Sequence, residues 1–352
     1  MALNYNQLQD VLNRTFQEPL QDYVVRANPI LAATPKRAVS SDRIYIKGIS
    51  DTTHNPGAVA DGTDISMVGD EGTTYINPVL DWATYVAKFK VPKRLIEQLS
   101  GQPGMIGNIL QSEIQLAAKD LSDKIAEDLF GTTVSNGIVG IIDMVNDGNT
   151  YAGIDRNLAA NANWQSAVKD ATGAELSTNA LYEADELFFS KNGYGFTETP
   201  ARFTAVTDRK IMTKYKSLME NIDLGTLGDA HFVNQANGTG NLGLGSVGFA
   251  GVPVIRDRNV VADSGDSVDT SRLYFLDMSK IELAVLESNP SRSMVHQVQG
   301  FQTAPSTQGI RTYIEILGNK GENVEGYVKT YVQLATPDAK AAGVVIKNIK
   351  NT

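Results

Sequence analysis

The sequence predicts an α+β fold, on three observations. Pro103 to Phe130 carries one long amphipathic period, and no second helix of similar length is available to pair with it. The residues beyond it alternate irregularly between helical and strand patterns, without the repeating strand–helix units of a doubly wound sheet. Upstream, residues 43 to 90 read as two extended runs joined by turn-rich sequence.

The chain has 352 residues and a formal charge of −9, with 42% of residues hydrophobic and 20% charged. That composition is globular, and the length allows about two domains with a well-buried core. Having no cysteine removes disulfides, thiolate zinc sites, iron–sulfur clusters and thiol nucleophiles together. Met1 to Asp10 lacks the basic and apolar regions of a signal peptide, and no apolar run approaches the ~20 residues that span a bilayer. A soluble, unexported chain with no membrane contact is expected. The negative balance argues against tight phosphate binding as the main activity, because that needs clustered Lys and Arg.

Taken in order, residues 1 to 40 alternate short apolar pieces (Leu12, Phe16, Leu20) with Pro19, Pro29 and Pro35. They read as an arm with a helix from about Tyr5 to Phe16, whose apolar side chains need a surface from the rest of the chain or, more readily, from a neighbouring copy. Residues 41 to 90 form an extended excursion. Arg43 to Ile49 alternates as a first strand, and the return runs from Thr73 through Trp82 and Tyr85 to Lys90. Unbroken, such a return would span ~55 Å at ~3.3 Å per residue, with Pro78 as a bend. Its apolar residues fall on both faces, Ile76, Leu80, Trp82 and Val86 on one and Tyr75, Val79, Tyr85 and Phe89 on the other, so a hairpin alone in water would not tolerate them. The pattern equally fits a strand inside an ordinary sheet. Between the two runs, residues 50 to 72 hold Asp51, Asp61, Asp64, Asp70 and Glu71 with no Lys or Arg, an acidic tip.

The helix Pro103 to Phe130 follows, with Pro in its first turn and Gly131 past its end. Leu110, Ile114, Ala117, Leu121, Ile125 and Leu129 make its apolar stripe, opposite Gln111, Ser112, Gln115, Lys119, Ser122 and Asp123. Residues 131 to 284 are mixed. They contain a short apolar run at Ile138 to Ile142, a helix near Ser177 to Ser190 closed by Gly193, and a strand at Phe203 to Val206 before a helix opened by Asp208. Strands at Val252 to Arg256 and Leu273 to Leu276 follow, the latter leading through Asp277 into Ile281 to Leu286. Ser293 to Gln299, Arg311 to Leu317 and Tyr327 to Leu334 then read as antiparallel strands able to form a sheet under the long helix, with a turn at Gly318 to Gly321.

The motifs give chemistry no anchor. Two Gly-x-Gly-x-x-Gly runs, at Gly238-Gly240-Gly243 and Gly243-Gly245-Gly248, lack the strand before and helix after that a dinucleotide site requires, and read as a flexible loop. His54, His231 and His296 are scattered, with no partner at metal-ligand spacing. Asp263, Asp266 and Asp269 lack the calcium-loop pattern and read as a solvated loop. No Gly-x-Ser-x-Gly elbow marks a nucleophile. No catalytic, cofactor or metal residue is therefore expected. One basic cluster stands out, Lys88, Lys90, Lys93 and Arg94, uninterrupted by acid. It reads either as a solvated face or as a dock for an acidic surface of a neighbouring copy, for which the tip bearing Asp61, Asp64, Asp70 and Glu71 is a candidate.

Two local stretches carry a resemblance. Tyr151-Ala152-Gly153-Ile154-Asp155-Arg156-Asn157, with Trp164-Gln165 after it, is similar to a Gly-Ile-Asp-Arg stretch followed by an aromatic in many phage coat proteins. Phe249-Ala250-Gly251-Val252-Pro253-Val254, followed by Leu273-Tyr274-Phe275-Leu276-Asp277, is also similar to coat-protein sequence. With the order of elements, these make the chain resemble the major capsid protein of tailed bacteriophages, the Hong Kong 97-type fold. The resemblance implies an N-terminal arm (1–40), an E-loop (41–90), a discontinuous P domain containing the spine helix (91–130 and 285–352) and an A domain (131–284). It further implies self-assembly as hexamers and pentamers into an icosahedral virion shell around double-stranded DNA, built in the host bacterial cytoplasm. DNA would be enclosed without sequence-specific binding, which a net negative wall suits. Some members crosslink a Lys to an Asn of a neighbour; no such bond is expected between Lys47 and Asn319. No long helical scaffolding segment precedes the arm, so a separate scaffolding protein is expected, with portal and decoration proteins as further partners. An encapsulin-like compartment shell shares the fold and is the first alternative; an enzyme of unknown class is the second.

Overall fold

The computed structural model describes residues 29–46, 48–52, 73–94, 103–132, 136–225, 248–249, 251–260, 270–286, 313–320 and 322–351. In chain order, a short helix α1 (Pro29–Ala33) and strand β1 (Lys36–Val39) lead into the hairpin strands β2 (Ile44–Tyr45), β3 (Gly48–Thr52), β4 (Thr73–Ile76) and β5 (Val79–Leu80), and then β6 (Ala83–Pro92). The long helix α2 (Pro103–Phe130) and the one-turn α3 (Ile141–Met144) precede β7 (Thr150–Tyr151), β8 (Ile154–Asp155) and β9 (Ala167–Asp170). Helix α4 (Thr178–Asn192), β10 (Phe203–Thr207) and helix α5 (Arg209–Gly225) follow. The remaining strands are β11 (Gly248–Phe249), β12 (Val252–Arg256), β13 (Thr270–Asp277), β14 (Glu282–Leu286), β15 (Tyr313–Lys320), β16 (Asn323–Ala335) and β17 (Gly343–Lys350).

Two sheets organise these elements. In the first, β16 pairs with β6, β15 and β14, and β14 carries β1 in parallel. Helix α2 packs on β6 and β16. Ile114, Ala117, Leu121, Ile125 and Leu129 are all buried there, joining Tyr85, Phe89, Val328 and Val332 in one core. The second sheet runs β11-β12-β10-β13-β17-β9, with α4 and α5 packed against it around Phe188, Phe196, Phe203 and Phe275. Phe196 and Phe275 stack at 4.3 Å between centroids. Local signals place both helices. The Ser177 hydroxyl accepts from Ala180 N–H at the start of α4, and Gly193 closes it at φ 76°. The Asp208 carboxylate accepts from Ile211 N–H at the start of α5.

Several expectations need correcting. The return of the hairpin is three strands, β4, β5 and β6, broken at Asn77-Pro78 and at Asp81-Trp82. The second break shifts the alternation by one, so Leu80 and then Ala83, Tyr85 and Phe89 face the core while Val86 is exposed. Only β3–β4 and β2–β5 make the hairpin; β6 leaves it for the sheet. The expected 285–352 unit is also divided, because β17 joins the second sheet between β13 and β9. Ser122, expected on the polar face of α2, is fully buried, since the helix is covered over a wider arc than its stripe. Asp123 is paired with Arg258 at 2.8 Å and the Phe130 ring lies 6.3 Å from Tyr274 of β13. Ile30 and Leu31, at the end of the expected arm, are buried in this chain's own core rather than on a neighbour. Gly318 to Lys320 extend β15 instead of forming the turn. The helix expected at Tyr5 to Phe16, the strand at Ser293 to Gln299, Lys47, the three histidines and Asp263 to Asp269 lie outside the described residues, as do both glycine runs except Gly248 in β11.

Candidate assembly interface

Strand β6 sorts its residues cleanly. Ala83, Tyr85, Phe89 and Val91 are buried beneath α2, whereas Thr84, Val86, Lys88, Lys90 and Pro92 are exposed on the other face. Lys88 and Lys90 of the predicted basic cluster therefore share one surface. Lys93 is half-buried and Arg94 exposed just past the strand. Cross-strand register sets Lys88 opposite Tyr327, Lys90 opposite Glu325 and Val86 opposite Lys329 of β16. Lys329 thereby joins the patch, its ammonium 4.4 Å from the centre of the Tyr331 ring. Sequence reading missed it because only strand pairing brings residue 329 beside residue 86; the alternation of β16 was the available signal. The acidic candidates Asp61, Asp64, Asp70 and Glu71 lie outside the described residues.

Where the hairpin roots in the body, a clasp of buried polar groups fixes it. Gln333, almost fully buried on β16, accepts from Val139 N–H (2.7 Å) and Leu334 N–H (3.0 Å) and donates to Asp81 O (2.8 Å). Tyr85 donates to Asp128 Oδ2 (2.9 Å) and accepts from Ile138 N–H (3.0 Å), and burial pushes its phenol well above the ordinary tyrosine range. Val79 N–H donates to Ala152 O (3.0 Å). Ala152 and Gly153 form the tight turn between β7 and β8, both at positive φ (51° and 80°), the type I′ geometry that glycine accommodates without strain. A cleft of about 760 Å³ opens here, lined in part by Leu80, Trp82, Asp143, Asn149 and Gln333.

The Gly-Ile-Asp-Arg stretch acts in this clasp. Arg156 is fully buried, and its guanidinium donates to Asn149 O (2.7 Å), Met144 O (2.9 Å) and Asp143 O. It thus covers carbonyls at the C-terminal end of α3, where a cation also meets the negative end of the helix dipole. Burial pulls its pKa down to about 10. Gln165, beside the following Trp164, donates to Arg156 O (2.6 Å). The motif therefore fixes backbone and offers no reacting group.

In the second unit, Asp277 has a fully buried side chain that accepts from Arg202 Nη2 (2.6 Å), Ser279 N–H (2.9 Å), Ser279 Oγ (2.6 Å) and Tyr194 OH (3.3 Å). It ties the β13–β14 connection to the base of β10. Among the described residues no group of three or more His, Cys, Asp and Glu is placed to hold a metal, and no helix is long and apolar enough to cross a membrane.

A long helix on one sheet, a second mixed sheet and a hairpin standing off both define the Hong Kong 97-type capsid fold, as the sequence resemblance implies. No protein-family model and no curated protein matches the chain. Its structure is similar to a chain of the cyanophage A-1(L) capsid asymmetric unit, with a TM-score of 0.65 at 14% identity, covering 92% of this chain and 93% of that one. It is also similar to the holo-SrpI encapsulin complex from Synechococcus elongatus PCC 7942 (TM-score 0.54, 13% identity, 92% and 88% covered). The capsid of a native GTA particle gives a TM-score of 0.54 at 10% identity, with 93% and 90% covered. These neighbours are shell proteins rather than enzymes.

Proposed function

We propose that the chain is the major capsid protein of a tailed phage, assembling as hexamers and pentamers into an icosahedral shell around double-stranded DNA. The observation that carries this reading is the likeness to the cyanophage A-1(L) capsid over more than nine-tenths of both chains. The chemistry is consistent with it, since the buried polar clusters built on Arg156, Gln333 and Asp277 are occupied in holding backbone. Its role is structural. The basic patch of Lys88, Lys90, Lys93 and Arg94 takes an acidic surface of a neighbouring copy, and a separate scaffolding protein, a portal and decoration proteins complete the assembly. Particles form in the bacterial cytoplasm and the protein ends in the virion, its negative net charge leaving packaged DNA free to slide.

The encapsulin likeness, at a TM-score of 0.54, favours a second reading, a bacterial compartment shell. Electron microscopy of native particles, with extraction of their contents, separates the two. Icosahedral particles holding nuclease-protected DNA are expected; particles filled with a cargo enzyme would transfer the reading to the compartment, and a persistent monomer would end both.

A further inference from the structure

The outer edge of β6 is open. Its register on β16 runs unbroken from Asn323↔Pro92 to Val332↔Ala83, and Lys93 N–H extends it by donating to Glu322 O at 2.8 Å. Counting back in twos from Lys93, the amides of Val91, Phe89, Ala87, Tyr85 and Ala83 face β16. Thr84 N–H points the other way, to Asn136 O at 3.4 Å. The amides of Val86, Lys88 and Lys90 therefore face outward with Thr84, and no described strand pairs with them. Pro92, next in that series, has no N–H and ends the run of donors. Val86 to Lys90 thus offers about 14 Å of unpaired edge, a template for one more strand.

The side chains along this edge select the strand. Val86, Lys88 and Lys90 are exposed, and two lysines oppose pairing with the same edge of another copy. A partner strand bearing carboxylates is favoured. Residues 53–72 contain Asp61, Asp64, Asp70 and Glu71 with no Lys or Arg, and within them Asp64-Ile65-Ser66-Met67-Val68-Gly69-Asp70 places a β-prone run between two acids. With a two-residue period, Asp64 and Asp70 fall on one face with Ser66 and Val68. The chain's own copy is poorly placed to reach the edge, because the segment leaves at Thr52 and returns at Thr73, the end of the hairpin remote from β6.

We propose that residues 64–70 of a second copy add to the open edge of β6, pairing main chain to main chain and setting Asp64 and Asp70 among Lys88, Lys90 and Lys93. This rests on the reading of the chain as a shell subunit and names the contact between subunits.

The absence of cysteine makes a crosslinking test direct. Subunits carrying Lys88→Cys are mixed during assembly with mass-tagged subunits carrying a single cysteine at 64, 65, 66, 67 or 68, oxidised, and run on a non-reducing gel, with electron microscopy of the same samples. Strong heterodimer bands at 64, 66 and 68, lost at 65 and 67, are expected. Particles with no bands, or with bands that ignore the two-residue period, overturn the edge pairing and leave the shell reading standing. A disulfide forming inside one chain, in a Lys88→Cys/Ser66→Cys double variant kept dilute and unassembled, overturns the assignment to a second copy. No particles from any variant or from the unaltered chain would sink the shell reading and this contact with it. Lys88→Pro, which removes an outward donor and spares the bonds to β16, is expected to cut particle yield without lowering the subunit's melting temperature, and unchanged yield counts against the proposal.

Discussion

Replacing Arg156 by alanine probes the clasp at the hairpin root. The guanidinium, 0% exposed, makes three hydrogen bonds to carbonyls of Asp143, Met144 and Asn149. Bonds from a charged donor contribute about 1.5–3 kcal/mol each, so the gross gain is on the order of 5–9 kcal/mol. Burial works against it. Holding the pKa near 10 instead of 12.5 penalises the charged form by roughly 3 kcal/mol. Met144 O also accepts from Ser166 Oγ at 3.3 Å, so the substitution leaves two bare carbonyls rather than three. The expected net loss is about 3–5 kcal/mol for Arg156→Ala, and about 2–3 kcal/mol for Arg156→Lys, whose single ammonium cannot reproduce the fork. Urea unfolding of the unassembled subunit, followed by the fluorescence of its two tryptophans, Trp82 and Trp164, reads the difference. Losses below about 1 kcal/mol in both variants would refute the assignment of Arg156 as the organiser of this loop.

Other substitutions test separate parts of the body. Asp277→Ala strands Arg202 and the Ser279 N–H, and is expected to cost about 3–5 kcal/mol by the same unfolding assay, with Asp277→Asn costing less. Gly140→Ala would place a Cβ 1.9 Å from Gly131 O, a backbone clash expected to cost about 1–3 kcal/mol, and an unchanged midpoint would show that the two loops do not meet so closely. Glu282 is held above the ordinary glutamate range by burial, only partly offset by Arg37 at 2.8 Å. It binds its proton more tightly folded than unfolded, so its contribution is full at low pH and is lost as pH rises through the folded value. Glu282→Gln should flatten the decline in subunit stability from the ordinary carboxylate range upward, and an unaltered slope would show that Glu282 is not its source.

What the sequence revealed followed from local physics. Helix α2 was legible from end to end because its stripe repeats over seven turns, and α4 because Ser177 and Gly193 bracket it. The parity of β4 to β6 was not legible, because the break at Asp81-Trp82 is set by tertiary contacts, Trp82 Nε1 to Ser41 O and Gln333 to Asp81 O. Nor was β17 placed, since Val344 to Ile346 are apolar in succession and say only that both faces are covered, not by which sheet. Half of the interface patch, Lys88 and Lys90, was visible as a charge run, whereas Lys329 needed the β6–β16 register. Arg156 was noticed as part of a signature, but nothing in one dimension shows a guanidinium turned inward onto three carbonyls.

The placement of β17 between β13 and β9 has a consequence for how the subunit comes into being. Its parallel partner β9 lies about half the chain length upstream, and β13 is separated from it by β14, β15 and β16 of the other sheet. The second sheet cannot close until the first has been traversed, so neither unit matures alone and loop closure is paid at long range. A nascent chain that has not yet delivered residues 343–350 keeps an unfilled slot flanked by Phe275 and Val168. Folding is thereby made a precondition of assembly: only a chain threaded through both sheets has a finished body to present to its neighbours, and fragments are excluded by topology rather than by recognition.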